Sequence, residues 1–158
     1  MFRKMLRPKQ QLQETECIEI LKNEPRGILS VLGDDGYPYG LPMNYWYDPE
    51  DGKLYFHCGK TGHKLDALNQ HDKVSFCVLD KGTRQGDDWA LTFRSVIVFG
   101  HIQLVEDPEK AAAAIRKLCY KFTSDDRYID EEFRKFAKGT LCLALTPEHI
   151  CGKRVHEA

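Results

Sequence analysis

The sequence predicts an α+β domain built on a six-stranded antiparallel barrel with peripheral helices, and three observations carry that expectation. Apolar, strand-like runs alternate with turn signals through the first half of the chain. One long strand-like run near residue 100 changes phase partway along, as bent barrel strands do. Helical stripes are confined to the N-terminal segment, one short insertion and the stretch before the last strand. The 158 residues suffice for one domain with a real core and are too few for two ordinary ones, so a single domain over 1–158 is expected.

Each element has its own justification. Residues 9–23 read as a helix, with Glu14, Cys17, Ile18 and Leu21 at helical spacing and Pro25 as its stop. Arg26 to Leu32 reads as a buried strand, closed by the turn Gly33-Asp34-Asp35-Gly36. Tyr37 to Tyr47 forms a second strand, in which Pro38 and Pro42 each remove a ladder donor and imply an edge, a bulge or an opening. Lys53 to Cys58 is the third strand, a short helix follows over 62–70, and Lys73 to Leu79 is the fourth. The polar loop Lys81 to Asp88 leads into LTFRSVIVFGHIQLVED. Here Leu91, Phe93, Ser95, Ile97 and Phe99 share one face, Ile102 and Leu104 take the other parity, and the slip at Gly100-His101 predicts a bulge. Asp107-Pro108-Glu109 starts a helix whose stripe is Ala111, Ile115, Leu118, Cys119 and Phe122. A further helix over 126–138 is expected to bury Ile129, Phe133, Phe136 and Ala137 before Gly139 stops it, and Thr140 to Leu145 is the sixth strand.

Composition bounds the function. Hydrophobic content of 42% and charged content of 30% are those of a globular chain, and a formal net charge of −1 provides no global field toward nucleic acid or anionic lipid. MFRKMLRPKQQ at the N-terminus lacks the apolar core of a signal peptide, and no run is long enough to span a bilayer, so a cytoplasmic location is expected. The six cysteines, at 17, 58, 77, 119, 142 and 151, form no CxxC pair, which favours reduced structural thiols over zinc or disulfides. His57, Cys58 and His63 are the nearest approach to a ligand set, but residues 57 and 58 of one strand point to opposite faces.

The stretch YFHCGKTGHKLDAL, Tyr55 to Leu68, carries the chemistry. Gly59-Lys60-Thr61 imitates the end of a phosphate-binding loop, but the glycine that loop needs five residues earlier is Leu54, so a nucleotide-triphosphate site is excluded on spacing. Behind it, the short helix opens with His63 and Lys64, two basic residues at the end of the helix dipole that prefers acids. A bound anion resolves that conflict, since free helical N–H groups and two basic side chains can converge on one phosphate. A solvated surface pair with a small local penalty is the alternative.

The chain resembles the flavin split-barrel superfamily, within the pyridoxamine 5′-phosphate oxidase-related proteins and nearest to the nitroimidazole-resistance (Nim-like) flavoproteins. The segments that carry the resemblance are RGILSV (26–31), YPYGLPMNYWY (37–47), LYFHCGKTGHKLDAL (54–68), VSFCV (74–78), FRSVIVFGHIQLVED (93–107) and the terminal CGK (151–153). The resemblance implies a split β-barrel that binds FMN between the two subunits of a homodimer. It places the phosphate at His63 and Lys64, the flavin ring along Pro42, Met43, Asn44 and Tyr45 with His57 beside it, and Phe93, Arg94, Ser95 and Val96 as the segment approaching the flavin from the partner. It further implies two-electron reduction of a small planar acceptor such as a nitroaromatic by an external reductant, with His57 as the candidate proton donor or orienting group. The polar Lys81–Asp88 loop is expected beside Asn44 and His57 at an open face of the ring. No GxGxxG fingerprint is present, so a nicotinamide reductant is expected to bind only transiently. True pyridoxamine phosphate oxidases end in an arginine-rich, Trp-containing segment; here the sequence ends CGKRVHEA and has tryptophan only at 46 and 89, so that reaction is not expected. The alternative is a flavin carrier or sensor, or a haem- or deazaflavin-binding relative, for which His57 and His101 are possible haem ligands.

Overall fold

The computed structural model describes residues 1–157. Four α-helices and seven strands run in the order α1 (Glu14–Asn23), β1 (Arg26–Leu32), β2 (Pro38–Asn44), β3 (Trp46–Tyr47), β4 (Leu54–Gly59), α2 (His63–Gln70), β5 (Lys73–Leu79), β6 (Thr92–Leu104), α3 (Pro108–Cys119), α4 (Asp126–Phe136) and β7 (Thr140–His156). All strand pairs are antiparallel, in the spatial order β2-β1-β5-β6-β7-β4-β3, and the sheet curls until β2 approaches β4. This is the expected α+β split barrel, with seven strands rather than six. The expected second strand breaks at Tyr45, whose side chain turns fully into the core and leaves Trp46–Tyr47 to pair separately with β4.

The core is aromatic at its centre. Tyr45 and Phe56 are fully buried around Phe76, with ring centroids 4.9 Å and 5.1 Å from it and edge-to-face geometry. Such pairs add about 0.5–1.5 kcal/mol beyond the area they bury. Leu29, Val78, Val96, Val98 and Leu145 complete the interior, and α1 closes one side with Cys17, Ile20 and Leu21. Gly152 lets α1 settle on β7, because a Cβ there would run into Cys17 Sγ and Leu12. Among the described residues no helix is long and apolar enough to cross a membrane.

The bulge lies where the phase slip predicted, but on the other strand. Phe99 pairs with His149 and Gly100 with Pro147, so Glu148 of β7 is the extra residue. β6 itself keeps one parity throughout: Val96, Val98, Gly100 and Ile102 are buried, whereas Phe93, Ile97 and Phe99 lie half-covered on the outside. The face that Phe93, Ser95, Ile97 and Phe99 share is the outer one; β6 is hydrophobic on both sides, so periodicity alone does not say which is inward. His101 fastens the bulge, with Nδ1 2.8 Å from Asp72 and Nε2 3.4 Å from Glu148.

Gly100 is required there, since a Cβ would meet the Thr146 carbonyl, a backbone atom that cannot turn aside. Gly100→Ala is expected to lower stability by about 3 kcal/mol. Gly59→Ala, at a position with open space, is expected to stay within about 0.5 kcal/mol. Urea midpoints of the two variants check this, and equal midpoints would refute the crowding argument.

The helices on the outer side of β4 and β7 are looser than expected. Of the residues assigned to the buried side of α4, only Ile129 is buried; Phe133 is half-covered, Phe136 is 58% exposed and Ala137 lies in the exposed turn after the helix. In α3, Ala114 and Leu118 are buried and Phe122 lies beyond the helix end at 47% exposed. α3 packs on β4 and β7 through Ala111, Ala114 and Ile115, whereas α4 stands off the strands and leaves a cavity beside them.

Candidate functional site

The first turn of α2 sits at the mouth of the curled sheet. Gly62 at its N-cap has φ 123° and provides no side-chain acceptor, so the first-turn N–H groups remain without a capping side chain. The positive end of the helix dipole is thus presented uncapped.

The two basic residues there are not equivalent. His63 stacks on Tyr39 with centroids 4.3 Å apart and its Nε2 lies 3.6 Å from Asp34, so it ties α2 to the β1–β2 turn. Lys64 makes no ion pair among the described residues; its Nζ lies 3.5 Å from Met43 Sδ, a weak acceptor. A half-buried ammonium without a carboxylate, beside an uncapped helix start, suits a phosphate monoester, and on that observation the residues fit FMN.

His57 stands close by on the outer face of β4, paired across the ladder with Cys142. Partial burial, and then the positive charge of Lys64, push its imidazole below its ordinary value. Cys58, the next residue, points inward, where burial raises its thiol while Lys64 lowers it. Lys64 therefore lies within electrostatic reach of both faces of β4.

Lys64 contacts Met43 and acts electrostatically on His57, whereas several of the other expected residues are engaged elsewhere. Pro42 is exposed on the edge strand opposite Ile28. Asn44 accepts a hydrogen bond from Arg26 Nε at 3.1 Å. Tyr45 has no accessible surface, and Lys121 Nζ lies 4.0 Å from its ring centroid while donating to the Glu24 carbonyl at 2.6 Å. Burial lowers the Lys121 ammonium to about 8. That lysine was missed in the sequence because it lies in no stripe and no motif.

Phe93, Arg94, Ser95 and Val96 lie at the other end of the sheet. Their strand end pairs with Val155 to Gly152, whereas His57 lies next to the Leu104 end, where Val105 bonds Cys142. Arg94 is held by Asp80, at 2.8 Å from Nε, and by Glu19 at 3.7 Å, and Val96 is in the core. The Lys81–Asp88 loop belongs to that same end through the Thr83–Thr92 bridge, and so does not border His57 within one chain. His101, between two carboxylates, is not free to ligate haem iron.

One feature next to His57 was not foreseen. A cavity of about 620 Å³ lies between α3, α4 and the outer faces of β4 and β7, with His57, Ile115, Cys119, Phe133, Phe136 and Cys142 among its walls. Its only sequence trace is the Phe133–Phe136 pair, spaced for one helix face and attributable equally to core.

The chain matches the model of the family described as Pyridoxamine 5′-phosphate oxidase over residues 13–154. Among solved structures it is similar to a protein from Bacteroides thetaiotaomicron given as a candidate 5-nitroimidazole antibiotic resistance protein, with TM-score 0.78, 20% identity, and 92% of this chain and 87% of that chain covered. It is similar to the conserved hypothetical protein Rv2991 from Mycobacterium tuberculosis, with TM-score 0.78, 20% identity and coverage of 95% and 90%. It is also similar to the FAD binding protein from Mycobacterium smegmatis, with TM-score 0.68, 21% identity and coverage of 94% and 99%. At these identities the likeness speaks for the fold. No curated protein matches the chain.

Proposed function

We propose a flavin-dependent reductase on the premise that the chain belongs to the Pyridoxamine 5′-phosphate oxidase family. The observation that carries the proposal is the unpaired Lys64 ammonium at the uncapped start of α2, where an anionic group is missing and FMN has one to give. A flavin-binding protein among the structural neighbours supports the same reading. Bound FMN supplies reversible two-electron chemistry at its ring. Lys64 and the first-turn N–H groups of α2 hold the phosphate, Met43 and Asn44 border the ring, and His57 orients or protonates the acceptor. The acceptor is a small planar molecule such as a nitroaromatic, and the reductant comes from outside the protein. Purified protein is expected to be yellow, or to become so with added FMN at about one per chain. A colourless protein that ignores FMN and binds haem overturns the proposal.

The functional unit in this reading is a homodimer with two interfacial sites. The support is an uncovered apolar row across the sheet, Pro42–Ile28–Cys77–Ile97–Cys151, with Ile28 44% and neighbouring Leu79 55% exposed. A contiguous exposed row of this kind on a sheet face marks an association surface. In this reading the Phe93–Val96 strand end of a second copy completes the site. Ile97→Asp is expected to weaken the dimer by at least about 2 kcal/mol, from burying an unpaired carboxylate. Light scattering across a dilution series checks it; a wild-type monomer with flavin bound defeats the interfacial site.

A further inference from the structure

We infer that the cavity beneath α3 and α4 is the site of the acceptor, and that the acceptor is a neutral, planar aromatic without a carboxylate. The inference rests on the reductase reading above and adds where the acceptor sits and which chemistry selects it. The volume of about 620 Å³ lies in the range of small-molecule sites. Apolar side chains form most of its lining: Ile115 on α3 packs on the strands beside Cys142, and Phe133 and Phe136 come from α4. The cavity opens to the surface, and α4 keeps only Ile129 buried while its aromatic side stays half-bare, an uncovered apolar surface suited to a ligand. Flat aromatic walls favour a flat aromatic guest, by stacking or edge contact.

Polar groups in the lining are few and decide the ligand's charge. His57 reaches in from β4 and Thr140 from β7, Tyr128 on α4 adds a hydroxyl, and Glu132 on α4 is the carboxylate. No lysine or arginine lines the cavity; the nearby cations are already paired, Lys135 with Glu132 at 3.5 Å, and Arg116, which stacks on Phe133, with Asp126 and Asp130. A carboxylated ring entering would meet Glu132 without a cationic partner in the walls, and would lose its hydration. A neutral ring loses little and can accept one hydrogen bond from His57 or Thr140.

The test uses redox-inert probes, so that binding is read without turnover. Calorimetry of FMN-supplemented protein with naphthol is expected to show one site per chain, and naphthoate to bind at least about tenfold more weakly. Ala112→Trp, at an exposed position of α3 that lines the cavity, is expected to weaken naphthol by at least about tenfold by filling the space, with FMN affinity unchanged. Glu132→Gln is expected to narrow the naphthol–naphthoate difference. Naphthol that does not bind, or that binds Ala112→Trp as tightly as wild type, overturns the assignment. Loss of acceptor reduction in a protein that still binds naphthol in this pattern sinks the reductase reading and leaves the aromatic site standing.

Discussion

Lys64→Ala is expected to weaken FMN binding by about 1.5–3 kcal/mol, roughly ten- to a hundred-and-fifty-fold, the worth of a hydrogen bond to a charged group. Riboflavin, which lacks the phosphate, is expected to lose much less. The reason is that the Lys64 ammonium has no carboxylate partner among the described residues, so its charge is available to a ligand at no cost of breaking an ion pair. His63→Ala is expected to do less, because His63 already leans on Asp34 and Tyr39. Lys64→Met, similar in length and neutral, separates charge from packing against Met43. Titrations following flavin fluorescence quenching check all three variants. Equal losses for FMN and riboflavin would remove Lys64 from the phosphate site.

His57→Gln is expected to slow acceptor reduction by the pre-reduced holoprotein about 100-fold, the lower end for a positioned acid–base group, with little change in FMN affinity. Partial burial and Lys64 both disfavour the charged imidazole, so at neutral pH it is mainly uncharged. Its protonated fraction grows only as pH falls through a value below the ordinary 6.5. If His57 donates the proton, the wild-type rate rises as pH falls across that window and levels off below it, and the glutamine variant is flat. Stopped-flow acceptor traces across pH show which; a variant with the wild-type pH profile would reduce His57 to a wall of the cavity.

Much of this was legible in the sequence. The turn Gly33-Asp34-Asp35-Gly36, the cap Asp107 with Pro108, and the bulge near Gly100 each leave local chemical signatures, and all three stand in the structure. The misplaced cations at 63 and 64 pointed to the start of α2, and one of them keeps a free charge. What failed were questions of side and distance. Ile97 and Phe99 were placed on one face of β6, but apolar periodicity carries no inside or outside. Phe136 looked buried because helical spacing does not say whether the surface opposite is touching or a few ångströms away. His57 and the Lys81–Asp88 loop looked like neighbours, yet sequence holds no record of which end of a sheet each reaches.

The strand order has a consequence for synthesis. β7, made last, lies between β6 and β4 and is the sole ladder joining the β3–β4 hairpin to the rest of the sheet. Until it emerges from the ribosome, β4 and β6 each carry an open hydrogen-bonding edge flanked by apolar side chains. Such edges invite pairing with any other nascent strand. The seventeen-residue β7 is therefore the strand that joins the two parts of the sheet and closes both edges at once.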